Sequence, residues 1–178
     1  MARVKPVLES EVPEDVSELF KRVHASYGSV PNIFKAMGNS HAVLKGFLDL
    51  NAAFQTSSLA PALREKIALA VGQINNCRYC LAAHSHTAHR VGLSEDEITK
   101  ARTGEDLDPK TAAVLHFVRH SVENRGWVTD EQMTVLRSAG IADRELVEIV
   151  MAIGINLFTN YFTHIANPEV DFPPVKDL

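Results

Sequence analysis

The chain has 178 residues, of which 46% are hydrophobic and 22% charged, and its formal net charge at pH 7 is −4. These values are typical of a soluble globular protein with one domain, 1–178, and the negative charge excludes the basic surface that nucleic-acid binding needs. No apolar run approaches the roughly 20 residues of a membrane span, and the start of the chain does not resemble a signal peptide. We therefore expect a cytoplasmic protein with no membrane or nucleic-acid partner.

Apolar residues recur at intervals of three and four along nearly the whole chain, which predicts amphipathic helices. No segment shows sustained two-residue alternation, so the predicted fold class is all-α, a multihelical bundle. Ser94 and Glu97 match a capping box at the start of one helix, and Thr129 caps a later one. The predicted helices, in chain order, span 13–26, 32–37, 41–54, 61–74, 77–91, 94–103, 109–124, 129–139 and 143–165.

The two cysteines of the chain, Cys77 and Cys80, lie three residues apart, and His84 follows four residues after the second. On a helix that begins at Cys77, with Asn76 as its N-cap, the three side chains fall within about 60° of one another, because each residue advances by about 100°. They share one face near a helix N-terminus, where the macrodipole and free N–H groups favour a thiolate. This is the environment of a reactive cysteine.

Glu65 precedes the first cysteine by twelve residues, on the helix predicted before the turn. If the two helices form an antiparallel hairpin, Glu65 comes level with His84, because both lie about 12 to 14 Å from the turn. The order predicts a relay in which a carboxylate orients an imidazole, which takes a proton from a thiol. Each residue alone is more often structural, but together on one face they favour catalysis.

Two metal-dependent interpretations follow from the same residues. A c-type haem requires a histidine directly after the second cysteine, where this chain has Leu81, so a haem attachment site is excluded. Zinc stays an alternative, because the two cysteines and His84 could supply three ligands. His86 and His89 project from other sides of the helix, so the fourth ligand would have to be Glu65 or a distant histidine.

A shift of the chain by 80 residues aligns the predicted hairpin with its last helix. The match indicates a duplicated helical hairpin as one interpretation of the chain. It also cautions that a Glu/His pair can be architectural, since the second copy lacks the cysteines. The aligned identical pairs are Arg64 with Arg144, Glu65 with Glu145, Asn76 with Asn156 and His84 with His164.

Glu65, eleven intervening residues, Cys77-x-x-Cys80, three residues and His84 resemble the signature of the AhpD-like alkylhydroperoxidases, within the carboxymuconolactone decarboxylase family. Residues 30–34 and 160–173 are similar to its peroxidase-related branch. The resemblance implies an AhpD-like all-helical fold that assembles as trimers or hexamers. It also implies thiol peroxidase activity, in which one cysteine attacks a peroxide, the second forms a disulfide with it, and an external dithiol restores both.

By motif position, the resemblance implies that Glu65 and His84 form the proton relay and that Cys77 and Cys80 are the redox pair. It favours Cys80 as the attacking thiol and Cys77 as the resolving one. The residues themselves leave this open, since Cys77 is closer to the helix start and Cys80 is closer to the base. Tyr79 stands where better-characterised members carry histidine, which predicts weak peroxidase activity or a different substrate, unless Tyr79 merely packs between subunits.

The expected function is an antioxidant thiol peroxidase that needs no cofactor. Its substrate would be an organic hydroperoxide or hydrogen peroxide, and its reductant a thioredoxin-like, lipoylated or glutaredoxin-like dithiol. Phe47, Phe54 and Phe158 are candidates for an apolar pocket, although such residues are more often in the core. A decarboxylase-like enzyme, which needs no cysteine pair, and a non-catalytic redox sensor are the alternatives.

Overall fold

The structure, a computed structural model, describes residues 1–178 and contains helices but no strands. The all-α prediction is therefore confirmed, and each predicted helix is present with ends within one residue of the expected ones. The nine helices are α1 Glu14–Tyr27, α2 Asn32–Met37, α3 His41–Phe54, α4 Pro61–Ile74, α5 Arg78–Arg90, α6 Glu95–Thr103, α7 Pro109–Glu123, α8 Asp130–Ser138 and α9 Asp143–Ala166.

Helix starts follow local capping chemistry. Ser94 accepts a hydrogen bond from the Glu97 backbone N–H, and the Glu97 carboxylate accepts one from the Ser94 backbone N–H, which completes the predicted capping box of α6. Thr129 and Gln132 form the same reciprocal pair at α8. Such caps satisfy N–H groups that have no partner within the helix, and each stabilises a helix by about 1 kcal/mol.

The chain forms two compact units, and the prediction of a single domain stays a prediction. The first unit comprises Met1–Thr56 and Tyr161–Asp171, and the second comprises Ser57–Asn160 and Phe172–Leu178. In the first, the α2 N-terminus lacks a local cap, and the Asp171 carboxylate accepts a hydrogen bond from the Asn32 N–H at 2.8 Å. Residues of its core include Val23, Phe34, Met37 and Leu44.

The second unit is built around α4, which packs against α5, α6 and α7. Seven consecutive residues of α4, from Lys66 to Gly72, are buried, so this helix contacts protein on nearly every side. The buried Lys66 ammonium pairs with Asp106 at 2.5 Å. The central position of α4 gives a rigid support to the helix that follows it, α5.

The duplicated hairpin is not found. The second copy lies within α9, one continuous helix from Asp143 to Ala166. Where the first copy turns at Asn76, α9 has Asn156, whose side-chain amide donates to the Ala152 carbonyl at 2.9 Å, one turn back. Glu145 and His164 therefore lie about five turns apart along one helix and form no relay.

Helix α9 is long and apolar enough to cross a membrane by length and composition, whereas the sequence analysis expected no such segment. Several of its residues are nevertheless buried in the second unit, among them Ile149, Ala152 and the polar Asn156 and Asn160. Of its most apolar 18-residue window, 39% is buried within the chain. The cytoplasmic location stays a prediction.

Candidate functional site

The turn between α4 and α5 places the first cysteine. Asn76 has a positive φ of 53°, the Asn76 N–H donates to the Gln73 carbonyl at 3.1 Å, and the Cys77 N–H donates to the Gly72 carbonyl at 2.9 Å. These two bonds form a Schellman motif, which ends a helix with one left-handed residue. Asparagine tolerates that conformation better than most residues.

Because Asn76 terminates α4, the residue after it caps α5. The expected N-cap was Asn76 and the expected first helical residue Cys77, and both are wrong by one position. Helix α5 begins at Arg78, and Cys77 is its N-cap, with the sulfur accepting a hydrogen bond from the Cys80 N–H at 3.2 Å. A thiolate on Cys77 would accept this hydrogen bond and would be stabilised by the positive end of the helix dipole.

Cys77 and Cys80 are joined by a disulfide, with their Cα atoms 5.3 Å apart. The two residues are only 1% and 3% exposed. Gly72 of α4 packs against the start of α5, and a Cβ on it would lie 3.7 Å from the Cys80 Cβ, an ordinary van der Waals distance. The predicted cysteine pair is therefore buried and disulfide-bonded at a helix start.

Glu65 and His84 come together as predicted. The Glu65 Oε2 and the His84 Nδ1 are 2.8 Å apart, and both side chains are partly buried. When Nδ1 carries the proton it donates to the carboxylate, which fixes the ring and leaves Nε2 as the nitrogen that exchanges a proton. His84 follows Cys80 by one turn of α5, so an oriented base stands next to the disulfide.

Tyr79, between the two cysteines, is buried within its own chain. Its ring meets Phe172 edge to face, with centroids 5.7 Å apart, and Phe172 also lies 6.0 Å from the ring of the exposed His86. Phe172 was not among the site residues expected from the sequence. No local pattern marks it, because it contacts Tyr79 across 93 residues of chain.

A second long-range contact holds the turn. The Asn75 side-chain amide donates to the Asn160 side-chain oxygen at 2.9 Å, and Asn160 on α9 is completely buried. Asn75 also donates to the Val71 carbonyl at 3.1 Å. The residue that precedes Asn76 and Cys77 is thus tied to both α4 and α9.

The zinc interpretation lacks a ligand set. Nowhere in the chain are three or more His, Cys, Asp or Glu side chains arranged to hold a metal ion. The aromatic pocket also gains no support, since Phe158 is 42% exposed and Phe47 pairs with Phe34 at 6.0 Å between ring centroids.

Comparison with known proteins bears on this geometry. Residues 42–123 match the carboxymuconolactone decarboxylase family, and this segment contains Glu65, both cysteines and His84. The family resemblance is confirmed for this segment, which comprises 82 of the 178 residues. No curated protein matches the sequence at a significant level.

Three solved structures share the fold. An uncharacterized peroxidase-related protein from Silicibacter sp. TM1040 is 23% identical, with 96% of this chain and 92% of that chain covered and a TM-score of 0.83. The AhpD core of an uncharacterized peroxidase-related protein from Ralstonia eutropha JMP134 is 19% identical, with the same coverage of 96% and 92% and a TM-score of 0.86.

The third is a cysteine-to-alanine variant of the debrominase Bmp8 in complex with 2,3,4-tribromopyrrole. It is 19% identical over 96% of this chain and 92% of that chain, with a TM-score of 0.82. At these identities the structures establish an AhpD-like fold and no activity.

Proposed function

We propose that this protein is a thiol-dependent peroxidase and disulfide oxidoreductase with an antioxidant role. The observation that carries the proposal is the Cys77–Cys80 disulfide one helical turn from the hydrogen-bonded pair of Glu65 and His84. Catalysis by this group requires a base that is held in orientation by a carboxylate and a thiol within its reach. The AhpD-like fold is consistent with such a role.

In the first step, His84 takes the proton of the Cys80 thiol while Glu65 stabilises the imidazolium. The thiolate attacks one peroxide oxygen, so an S–O bond forms and the O–O bond breaks. His84 returns the proton to the departing oxygen, which leaves as an alcohol, or as water from hydrogen peroxide. Cys80 is then a sulfenic acid, and the peroxide has been reduced by two electrons.

In the second step, the Cys77 thiolate attacks the Cys80 sulfur, and hydroxide leaves with a proton as water. This produces the disulfide. An external dithiol, thioredoxin-like, lipoylated or glutaredoxin-like, then reduces it by exchange and is itself oxidised to a disulfide. The Cys80 N–H and the start of α5 would stabilise a Cys77 thiolate, which is the nucleophile of this step.

Tyr79 limits which residue can act as the base in this proposal. A tyrosine is neutral at pH 7, so it cannot replace an imidazole as base. The relay we propose runs through His84 alone, and we expect slower peroxide reduction than in family members that have a histidine at this position.

The test mixes reduced protein with cumene hydroperoxide and measures free thiols and intact mass over time. We expect both thiols to disappear into an intramolecular disulfide faster than those of a free dithiol. Cys77→Ser should stop at a sulfenic acid on Cys80, and Cys80→Ser should react no faster than an unactivated thiol. If the wild-type thiols are lost no faster than unactivated thiols, the proposal is wrong.

The Bmp8 neighbour suggests a second candidate, thiol-dependent debromination of a bromopyrrole. Balanced chemistry would transfer bromine from carbon to a cysteine sulfur and a proton to carbon, and the second cysteine would then displace bromide as the disulfide forms. Bromide release from 2,3,4-tribromopyrrole, without reaction with cumene hydroperoxide, would favour this candidate. A redox sensor would react once with peroxide but would not turn over with a dithiol.

We also propose that the protein forms a homo-oligomer through α9. Its exposed face carries Val147, Val150, Met151 and Phe158, each between 42% and 64% exposed. With Gly154, the spacing 147, 151, 154, 158 follows the four-three-four seam of packed helices. Gly154 has no neighbour in the chain within 4 Å of an added Cβ, so nothing in the chain itself requires glycine there. A close-packed second copy would.

A further inference from the structure

The segment Phe172–Leu178 is held near the turn of residues 75–77, which carries the first cysteine and which we call the redox turn. It belongs to the same compact unit as the turn, has no regular secondary structure, and most of its residues are exposed. At its first residue, Phe172 packs edge to face on Tyr79, the residue between Arg78 and Cys80. This contact is the first of two anchors.

The second anchor is Arg102 on α6, which is only 6% exposed. Its Nη1 donates to the Lys176 carbonyl at 2.9 Å, and its Nε donates to the Gln73 side-chain oxygen at 2.9 Å. Gln73 lies four residues before Cys77, whereas Tyr79 lies two residues after it. The two anchors therefore attach the segment on either side of the turn that carries the first cysteine.

The burial of the sulfurs makes this attachment consequential. Cys77 and Cys80 are 1% and 3% exposed, yet a dithiol that reduces their disulfide must bring a thiolate up to one of the sulfurs. A protein reductant is far bulkier than a peroxide and cannot reach sulfurs at this burial. Something near the turn has to move, and an irregular segment held at two points moves more readily than a packed helix.

We propose that Phe172–Leu178 is a cover over the redox turn and that Phe172 determines which reductants reach the disulfide. With Phe172 on Tyr79, small molecules have access and a protein dithiol is held back. Release of Phe172 exposes Tyr79 and the sulfur of Cys77, the one at the helix start. The inference rests on the proposed function in that the disulfide must be reduced from outside.

The test measures reduction of the oxidised protein under anaerobic conditions, without peroxide, by appearance of free thiols. Two reductants are compared, the small tris(2-carboxyethyl)phosphine and the protein thioredoxin. We expect Phe172→Ala to accelerate reduction by thioredoxin about tenfold and reduction by the phosphine much less, since loss of the ring contact favours the open state. The ratio of the two rates is the decisive quantity, because general destabilisation would raise both.

Trp127→Ala is the control, because it removes an exposed aromatic side chain from the same unit and lies outside the proposed α9 interface. It should leave both rates unchanged. Phe172→Leu keeps an apolar contact and should fall between wild type and Phe172→Ala, and it serves as the test if the alanine variant does not fold. Melting temperatures of all variants are measured alongside.

If thioredoxin reduces wild type, Phe172→Leu and any folded Phe172→Ala protein at equal rates, the segment is not a cover. Equal acceleration with both reductants would lead to the same conclusion. Failure of the cover is distinguishable from failure of the proposed function, since these rates do not involve peroxide. A protein that passes this test but never reacts with peroxide or a bromopyrrole has a cover and a different activity.

Discussion

Among the residues of the site, Glu65 and His84 form the hydrogen-bonded contact that their spacing predicts, and their surroundings differ from those of other such pairs. The chain holds a second glutamate–histidine pair, Glu95 with His89, at 2.9 Å on the surface. Exposed pairs of this kind contribute little to stability and act on no neighbouring thiol. The Glu65–His84 pair is partly buried, and His84 follows Cys80 by one turn of α5, so we propose a chemical role for this pair alone.

We expect Glu65→Gln to slow the reaction of the reduced protein with cumene hydroperoxide by about 10- to 100-fold, because the amide cannot stabilise an imidazolium. The rate should also acquire a steeper dependence on pH above neutrality, as thiolate then forms without the relay. Stopped-flow measurement of thiol loss between pH 6 and 9 gives both quantities.

Glu95→Gln is the control for this change, because it removes the same charge from the surface pair with His89. Its rate should match that of the wild type. If the two variants behave alike, Glu65 is architectural and the relay is wrong.

At the level of elements, the α4–α5 hairpin depends on one residue in an unusual conformation. Asn76, with a φ of 53°, terminates α4, and Cys77 is therefore the N-cap of α5. The sequence predicted both helices and the turn, but not which residue caps the second, because Asn and Cys both stand at the boundary. The Schellman hydrogen bonds decide it.

Replacement of Asn76 tests this geometry. Asn76→Gly should leave the free energy of unfolding nearly unchanged, whereas Asn76→Val should lower it by about 1 to 2 kcal/mol, since a β-branched residue resists positive φ. Urea denaturation of the oxidised proteins measures the difference. Equal stability of the two variants would contradict the left-handed turn.

For the whole molecule, the exposed apolar face of α9 is the main feature that the chain does not itself explain. Every carboxylate of α9 lies in its first two turns, at Asp143, Glu145 and Glu148, and each is engaged within the chain, by Arg137, Lys110 and Ser58 among others. The following turns present apolar side chains without charges. Burial against a second copy would remove this surface from water.

We expect Met151→Glu to convert the oligomer to a monomer, because each interface would then bury an unpaired carboxylate in each copy. Light scattering coupled to size exclusion measures the mass. Val135→Glu introduces the same charge at an exposed valine of α8 and should leave the assembly intact.

A wild-type protein that is monomeric at all concentrations would refute this interface. In that case co-sedimentation with lipid vesicles would show whether α9 meets a membrane surface instead.

Local sequence was sufficient for the nine helices, most of their ends, the shared face of the cysteines and His84, and the approach of Glu65. All of these follow from helical periodicity, capping and a short antiparallel turn, which act over at most about 20 residues. The match between residues 64–84 and 144–164 shows the limit of such patterns. The same residue spacing occurs in a hairpin in the first segment and in the continuous helix α9 in the second.

Only the tertiary structure revealed what surrounds the disulfide. Phe172 on Tyr79, Arg102 between Gln73 and Lys176, and Asn160 on Asn75 join residues that are 29 to 93 positions apart. Contacts at such separations depend on how helices pack, and no periodicity records them. The sequence therefore predicted which groups come together, whereas packing decided how deeply they are buried and which distant residues contact them.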